Sequence, residues 1–291
     1  MTGVKTLLAV VPDVEGGLPT LETACIIGRD LACHVRVLHV RPDPSSALPL
    51  MGEAMSGAMI DQMMATCEKE GTARAVRVRG IFDQLIARYD IPQTDEPPGP
   101  SEMSAAYIEL IGQEDEAAVS YGRMADVVVI GRPQDGDDEP ALQATLNAVL
   151  METGRPVIVA PRQQVTSVLS AAVIAWNGSI EAVRAVAGAI PLLLKSSRVV
   201  IAVAGSAENL QVSASELQSY LAWHGIDAEL RTLTVSGAGD VGPALLRTCD
   251  DVQASLLVMG AYTHSRLRQL IIGGVTRHVL DNAHLPVLLA H

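Results

Sequence analysis

The feature that most restricts the fold of this chain is a pattern that occurs twice. In each half an apolar run stops at a glycine, at Gly131 and again at Gly260. A Val-Leu pair follows in both halves, and then a proline, Pro156 or Pro286, starts a last apolar run. The separation along the chain between the two glycines and that between the two prolines differ by only one residue. We interpret the chain as a duplicated domain with units 1–163 and 164–291.

Within each half, segments typical of strands alternate with segments typical of helices. The runs of Val, Ile and Leu are uninterrupted, as in strands that are buried on both faces of a parallel sheet. Ser179 is a candidate N-cap and Gly225 a candidate helix end. The prediction is α/β: two doubly wound, Rossmann-like parallel-sheet domains in tandem. In the second half we expect strands at Ala172–Trp176, Val199–Val203 and Ile226–Val235, and helices at Ser179–Leu194, Ser213–His224 and Asp240–Val252. First-half strands are expected at Val4–Val11, Val35–Val40, Ala106–Ile111, Asp126–Ile130 and Val157–Ala160, with a helix near Leu18–Leu31.

The composition excludes several classes of protein. Of the 291 residues 48% are hydrophobic, which excludes dominant disorder, and the four scattered cysteines exclude a disulfide scaffold. The net charge of −12 gives no bulk attraction to phosphate backbones or anionic lipid, so nucleic acid and membranes are not expected partners. No secretory signal or membrane span is recognisable, and the cysteines fit reduced, partly buried thiols. We therefore expect a cytoplasmic protein.

A long excursion, Arg41–Ser104, distinguishes the first half from the second. Within it Met51, Met55, Met59 and Met63 recur every four residues, as on one face of a helix. The favoured interpretation is packing into the core or under a lid. Methionine surfaces also bind adaptable partners, so a partner-binding face is the alternative.

The segment 258–279 holds the residues best suited to bind a ligand. Met259 and Gly260 end a strand, and Gly273 and Gly274 then open a helix with Val275 and Thr276. In doubly wound sheets, ligands lie beyond the carboxyl ends of the strands. Glycine lets a backbone approach a phosphate, and the free N–H groups of a helix start attract an anion. Three arginines lie nearby, at Arg266, Arg268 and Arg277.

Here the chain resembles the universal stress protein family, and it looks like a tandem member. ATP-binding members of that family carry glycine, two residues, glycine, nine residues, then glycine and Ser, Thr or Asn. The matching positions are Gly260, Thr263, Gly273 and Gly274. The spacing is kept, but threonine replaces the second glycine and Gly274 replaces the hydroxyl residue. The resemblance implies an adenine nucleotide alpha hydrolase-like fold and ATP or AMP as the ligand.

The resemblance also implies where the nucleoside would lie. The family has an acidic residue after the first strand of the domain, and the matching segment here is Ala175, Trp176 and Asn177, with an amide at the acidic position. The end of the second strand, around Val203, would contact the adenine through its backbone. An alternative stays open, in which the glycines serve turns and helix packing and the cleft is empty.

The first half lacks the same motif. Gly131 is kept, but four acidic side chains crowd the loop Arg132–Pro140, and Gln143 and Ala144 stand where the second half has its two glycines. Like charges at close range would repel a triphosphate. We predict that the first half has lost any nucleotide site and serves as a scaffold or partner surface.

The resemblance implies two domains that mimic the dimer of single-domain members, with their last strands at the interface. It implies a role in stress response or signalling, with an adenine nucleotide, a protein partner or a second copy as partner. One alternative is an interaction module without a small ligand. A slow ATP hydrolase is the other, and it is less favoured because no general base or metal-binding carboxylate pair is evident near Gly273. No catalytic or metal-ligating residue is assigned, since HExxH and GxSxG patterns are absent.

Overall fold

The computed structural model describes residues 3–12, 17–45, 56–97, 102–133, 139–205, 212–235, 237–261 and 273–291. Within these ranges the chain forms ten strands and eight helices, five strands and four helices in each half. The first half contains β1 (Thr6–Val10), α1 (Gly17–Leu31), β2 (His34–Pro42), α2 (Gly57–Tyr89), β3 (Ser104–Gly112), α3 (Glu114–Gly122), β4 (Val127–Ile130), α4 (Glu139–Glu152) and β5 (Val157–Val159). The second contains β6 (Ala171–Trp176), α5 (Ile180–Leu193), β7 (Arg198–Ala204), α6 (Ala214–Trp223), β8 (Ala228–Leu233), α7 (Val241–Asp251), β9 (Leu256–Gly260), α8 (Gly274–Asn282) and β10 (Val287–Ala290).

The two halves have the same strand order, and they share one sheet. The order across the sheet is β3-β2-β1-β4-β5-β10-β9-β6-β7-β8. All pairs within a half are parallel, and β5 and β10 pair antiparallel, with Ile158 opposite Leu288. The predicted doubly wound α/β fold is thus confirmed in both halves. Their last strands meet as expected, but they join edge to edge, so the two parallel sheets continue into each other rather than stay separate.

Apolar side chains of both sheet faces form two core layers. Neighbouring residues of one strand alternate between them: Leu7 and Ala9 pack in one layer, and Leu8 and Val10 pack in the other. This is the arrangement expected of uninterrupted apolar strands that helices cover on both sides. The halves also touch outside the sheet, because Gly188 of α5 packs against Pro156, where a Cβ would lie 3.0 Å from the proline ring.

The predicted elements are confirmed, with ends that shift by no more than two residues. Ser179 caps α5 by accepting a hydrogen bond from the Ala182 N–H, and Gly225 follows α6 with a φ of +78°. The predicted strand 226–235 is shorter in the structure, and Leu230 within it is 42% exposed. Its strand, β8, lies at the edge of the sheet and so has a neighbour on one side only.

The excursion of the first half contains α2, a helix of 33 residues. Its buried residues all lie in the second half of the helix, between Ala75 and Ile86. Met59 is 54% exposed and Met63 is exposed too, so the favoured interpretation of these methionines as core packing is wrong. Met51 and Met55 lie outside the described residues.

The cysteines are all free thiols. Cys33 and Cys249 are buried and Cys25 is half-buried, but Cys67 is exposed on α2, contrary to the expectation of a partly buried thiol. Within the described ranges, no three or more His, Cys, Asp or Glu side chains are grouped closely enough to hold a metal ion. A search of the same ranges found no helix with the length and apolar character needed to cross a membrane.

Candidate functional site

A cavity of about 290 Å³ lies beyond the carboxyl ends of β6, β7 and β9. Its size is near the lower end of the range for small-ligand pockets, about 300–1,000 Å³. The cavity brings together most of the residues singled out from the sequence: Ala175, Trp176, Asn177, Met259, Gly260, Gly273, Gly274, Val275 and Thr276. It adds five that the sequence did not single out: Ala202, Ala204, Leu233, Val241 and Leu245.

One end of the cavity is apolar and has a floor of small side chains. Ala175 of β6 pairs with Ala202 of β7, and Ala204 follows one pleat further on. Leu233, Leu245 and Met259 form the apolar surroundings of this floor. A flat apolar group can therefore lie directly on the strand ends.

The side chains of Trp176 and Val203 pack mainly on the other side of the sheet. Trp176 lines the cavity, but its indole belongs to the opposite core layer and donates from Nε1 to the Val212 carbonyl at 3.1 Å. The Val203 side chain packs in that same layer, and Val203 is not among the lining residues. Its neighbours Ala202 and Ala204 line the cavity instead, because successive side chains of a strand point to opposite faces.

The turn after β6 positions Asn177 at the rim of the cavity. Its Oδ1 accepts a hydrogen bond from the Ser179 N–H at 3.1 Å, and Gly178 between them has a φ of +72°. Such an Asx turn orients the carboxamide. Ser179 then caps α5, so the Asn177 carboxamide is held by local backbone geometry.

The polar end of the cavity is the start of α8. Gly273 is the N-cap residue and offers no side-chain hydrogen bond to the first turn, while Gly274, Val275 and Thr276 all line the cavity. The first N–H groups of a helix lack intrahelical partners, and the helix dipole adds partial positive charge there. This end is therefore suited to an anion.

Close packing requires a glycine at one position of the motif but not at the other two. At Gly260 a Cβ would lie 2.6 Å from the Ala182 nitrogen, so a side chain is excluded by the close approach of α5. At Gly273 and Gly274 no described atom lies within 4 Å of a built Cβ, and neither residue has a positive φ. Helix packing thus explains the first glycine, whereas at the other two, which both line the cavity, a Cβ would contact no described atom.

Thr263, Arg266 and Arg268 lie outside the described residues. Arg277 is exposed on α8. Among the described residues that line the cavity, none has an ionisable side chain. The part of the site that the structure describes therefore offers shape, backbone donors and one amide.

Comparison with known proteins gives the family. The model of the Universal stress protein family matches residues 172–291, which include the whole cavity. The second half of this chain belongs to the universal stress protein family. A curated universal stress protein of Synechocystis is 27% identical over 170 residues, which is 56% of this chain. The chain spans 57% of the length of that relative.

Solved structures of universal stress proteins resemble the chain over nearly its whole length. One from Archaeoglobus fulgidus matches with a TM-score of 0.63 at 14% identity, covering 98% of this chain and 97% of the other. A putative universal stress protein from Pseudomonas aeruginosa matches with a TM-score of 0.53 at 14% identity, covering 99% and 93%. At these identities the similarity shows the fold, which the first half therefore shares with the second.

The first half of this universal stress protein fold has no comparable floor. In the second half, Ala175 pairs with Ala202 on one side and with Met259 on the other. In the first half, Val10 holds the place of Ala175 and pairs with Leu38 and Ile130. Val40 likewise stands at the position of Ala204. These larger residues are all buried, at 4% exposure or less. The contrast between three alanines and Val, Leu and Val is visible in the sequence, but only the strand register shows that these positions correspond.

The helix that corresponds to α8 also starts differently. Gln143 and Ala144 lie inside α4, which begins at Glu139, and the Gln143 side chain donates to Asn147 at 3.0 Å. In the universal stress protein half, α8 begins at Gly274, the counterpart of Ala144. The acidic positions 135–138 of the first-half loop lie outside the described residues.

Proposed function

We propose that this chain binds an adenine mononucleotide, ATP or AMP, in the cavity of its second half. The single observation that carries the proposal is the start of α8. Among the described residues, neither packing nor φ requires a glycine at Gly273 or Gly274, and no side chain of the N-cap residue bonds the first turn of the helix. A phosphate suits that position, because the first-turn N–H groups can donate to it.

The other end of the cavity supports the same ligand. The alanine floor accepts a flat ring, and the Asn177 amide at the rim can hydrogen-bond a ribose or a base edge. The size of the cavity fits a mononucleotide better than a dinucleotide. The family resemblance of the motif points to the same class of ligand.

We infer that the nucleotide acts as a conformational ligand in stress response or signalling, within a cytoplasmic protein. No described lining residue can act as a general acid or base, which favours binding over hydrolysis. A bound nucleotide shifts an equilibrium only by its different affinities for the two states. The first half, with its filled cleft, would serve as scaffold or partner surface.

An interaction module without a small ligand is the second candidate. The exposed first half of α2, with Met59 and Met63 on its surface, is the observation that favours it. Such a surface would bind a protein partner or a second copy of the chain.

The experiment combines detection of a natural ligand with a titration. Small molecules released from freshly purified protein are identified by mass spectrometry. ATP and AMP are then titrated into the protein, and binding is measured by isothermal titration calorimetry. We expect saturable heats of binding and a stoichiometric adenine nucleotide in the released fraction.

Two matched substitutions make the test specific. Ala202→Leu introduces the residue that fills the first-half cleft and should abolish binding. Ala222→Leu makes the same change at an exposed position of α6 and should leave binding unchanged. No adenine nucleotide and no response to ATP or AMP would overturn the proposal and leave the interaction module as the better explanation.

A further inference from the structure

Arg132 crosses from the first half into the second. It follows Gly131 at the end of β4 and is only 4% exposed. Its Nη1 donates to the Ala283 carbonyl, and its Nη2 donates to the Leu285 carbonyl at 3.4 Å. Both acceptors lie between the end of α8 and the start of β10, so a side chain of one half holds the backbone of the other.

The chemistry of this contact suits a helix end. The last carbonyls of a helix have no intrahelical partners and carry partial negative charge, which a cation near them satisfies. Burial, with a smaller effect of Arg162, lowers the pKa of Arg132 to about 10, so the guanidinium is still charged at neutral pH. Its Nε is buried and has no hydrogen-bond partner among the described residues. Within the part of the chain that the structure describes, these two backbone carbonyls are thus the hydrogen-bond acceptors of a buried cation, and their loss is costly.

The helix that Arg132 holds is the one that opens on the cavity. α8 has nine residues, with Gly274 and Thr276 at the cavity and the Ala283 carbonyl at the opposite end. Along its length it packs closely on α7, since a Cβ at Gly242 would lie 2.7 Å from the ring of His278. A displacement at one end of so short and tightly packed a helix is expected to move the other end as well.

The contact has no counterpart in the opposite direction. Gly131 and Gly260 correspond, so the position of Arg132 is that of Ala261 in the second half. The side chain of alanine has no donor that could reach across to the end of α4, and the Ala261 N–H donates to the Ala290 carbonyl of its own half. The connection therefore runs from the first half to the site of the second half alone.

We propose that Arg132 is a positioning residue through which the first half controls the ligand site of the second half by holding the end of α8. The proposal rests on the proposed function for the identity of the ligand, but not for the contact itself. Ligand affinity and the order of α8 should then both depend on Arg132, and by linkage the ligand should in turn stabilise the Arg132 contact.

The test compares Arg132→Met with Arg36→Met by amide hydrogen exchange, without ligand, and by ATP titration. Arg36 is a matched control, since its guanidinium also donates to two backbone carbonyls, those of Tyr121 and Met124, but within the first half. In Arg132→Met we expect amides of α8 to exchange about tenfold faster, as for the loss of one charge-assisted hydrogen bond. The affinity for ATP should fall at least about threefold, because ligand binding and the Arg132 contact are expected to stabilise each other. Arg36→Met should change neither.

The two arms separate the two proposals. If the wild-type protein binds no ATP, the proposed function fails, while hydrogen exchange still decides the role of Arg132. Unchanged exchange in α8 of Arg132→Met, or faster exchange with wild-type ATP affinity, would overturn the positioning role. If Arg132→Met does not fold, Arg132→Lys, which keeps the charge but not the fork of donors, is measured against wild type with the same criteria.

Discussion

Leu38 and Ala202 hold the same position in the two copies of the fold. The larger side chain of Leu38 helps to fill the cleft of the first half, whereas the smaller side chain of Ala202 leaves the cleft of the second half open. Leu38 pairs with Val10 in the first half, and Ala202 pairs with Ala175 in the second. Both residues are buried, but Leu38 packs in the first-half core, whereas Ala202 lines the cavity of the second half. Larger side chains thus cover the strand ends of the first half, and smaller ones border the cavity at the corresponding strand ends of the second half.

The filled cleft should contribute to stability. Leu38→Ala removes a fully buried side chain and should lower the free energy of unfolding by about 2–5 kcal/mol. Leu230→Ala is the matched change at an exposed strand position and should cost less than about 1 kcal/mol. Urea unfolding of both variants gives the comparison. Equal losses would show that the first-half cleft is not packed as described.

Gly260 should tolerate no side chain. In Gly260→Ala the new Cβ would meet the backbone of α5 at 2.6 Å, and we expect a loss of about 1–3 kcal/mol. Gly71→Ala serves as the control, because no described atom lies near its Cβ position and alanine favours a helix. This variant should be as stable as the wild type or more so. Thermal unfolding distinguishes the two, and a neutral Gly260→Ala would contradict the close approach.

Thiol reactivity should report a single reactive cysteine. Burial raises the pKa of Cys25, Cys33 and Cys249 to about 12, so these thiols are not ionised near neutral pH, and Cys33 and Cys249 are also inaccessible. Cys67 is exposed. N-ethylmaleimide should add once to the native protein and four times after denaturation, as counted by intact mass. Cys67→Ser should remove the native adduct, and a second fast adduct would contradict the burial of the others.

Acid should destabilise the protein through His39. This residue is buried, and its Nδ1 contacts the Val11 carbonyl at 2.7 Å. Burial lowers the pKa of His39 below its ordinary value of 6.5, against the opposing effects of the Val11 carbonyl and Glu109. The unfolded chain therefore takes up a proton that the folded chain does not. The contribution of His39 to the free energy of unfolding is therefore fully present above pH 6.5. It falls as the pH drops below that value, by at most about 1.4 kcal/mol per pH unit.

The pH dependence can be assigned with one variant. His39→Gln should flatten the decline between pH 7 and pH 5 in denaturant titrations. A part of the slope should remain, since burial also lowers the pKa of His34. Identical slopes in the two proteins would exclude His39 as the source.

Local sequence pattern was sufficient for the units of the fold. The uninterrupted apolar runs, the caps at Ser179 and Gly225 and the repeated glycine all depend on residues close in the chain, and the structure confirms them. The same holds for most of the candidate site, because the carboxyl ends of parallel strands and the start of a helix are recognisable from short segments. Thr263 lies outside the described residues, and of the other predicted residues only Val203 does not line the cavity.

The tertiary structure decided what depends on distant residues coming together. The pairing of β5 with β10 joins the two sheets, the strand register sets Leu38 against Ala202, and Arg132 reaches a carbonyl 151 positions along the chain. Exposure of Met59 and Leu230 likewise depends on which neighbours cover them. A periodic sequence determines which face of an element is apolar, but the register and the packing partners are set by contacts between elements, and those contacts determine which cleft stays open.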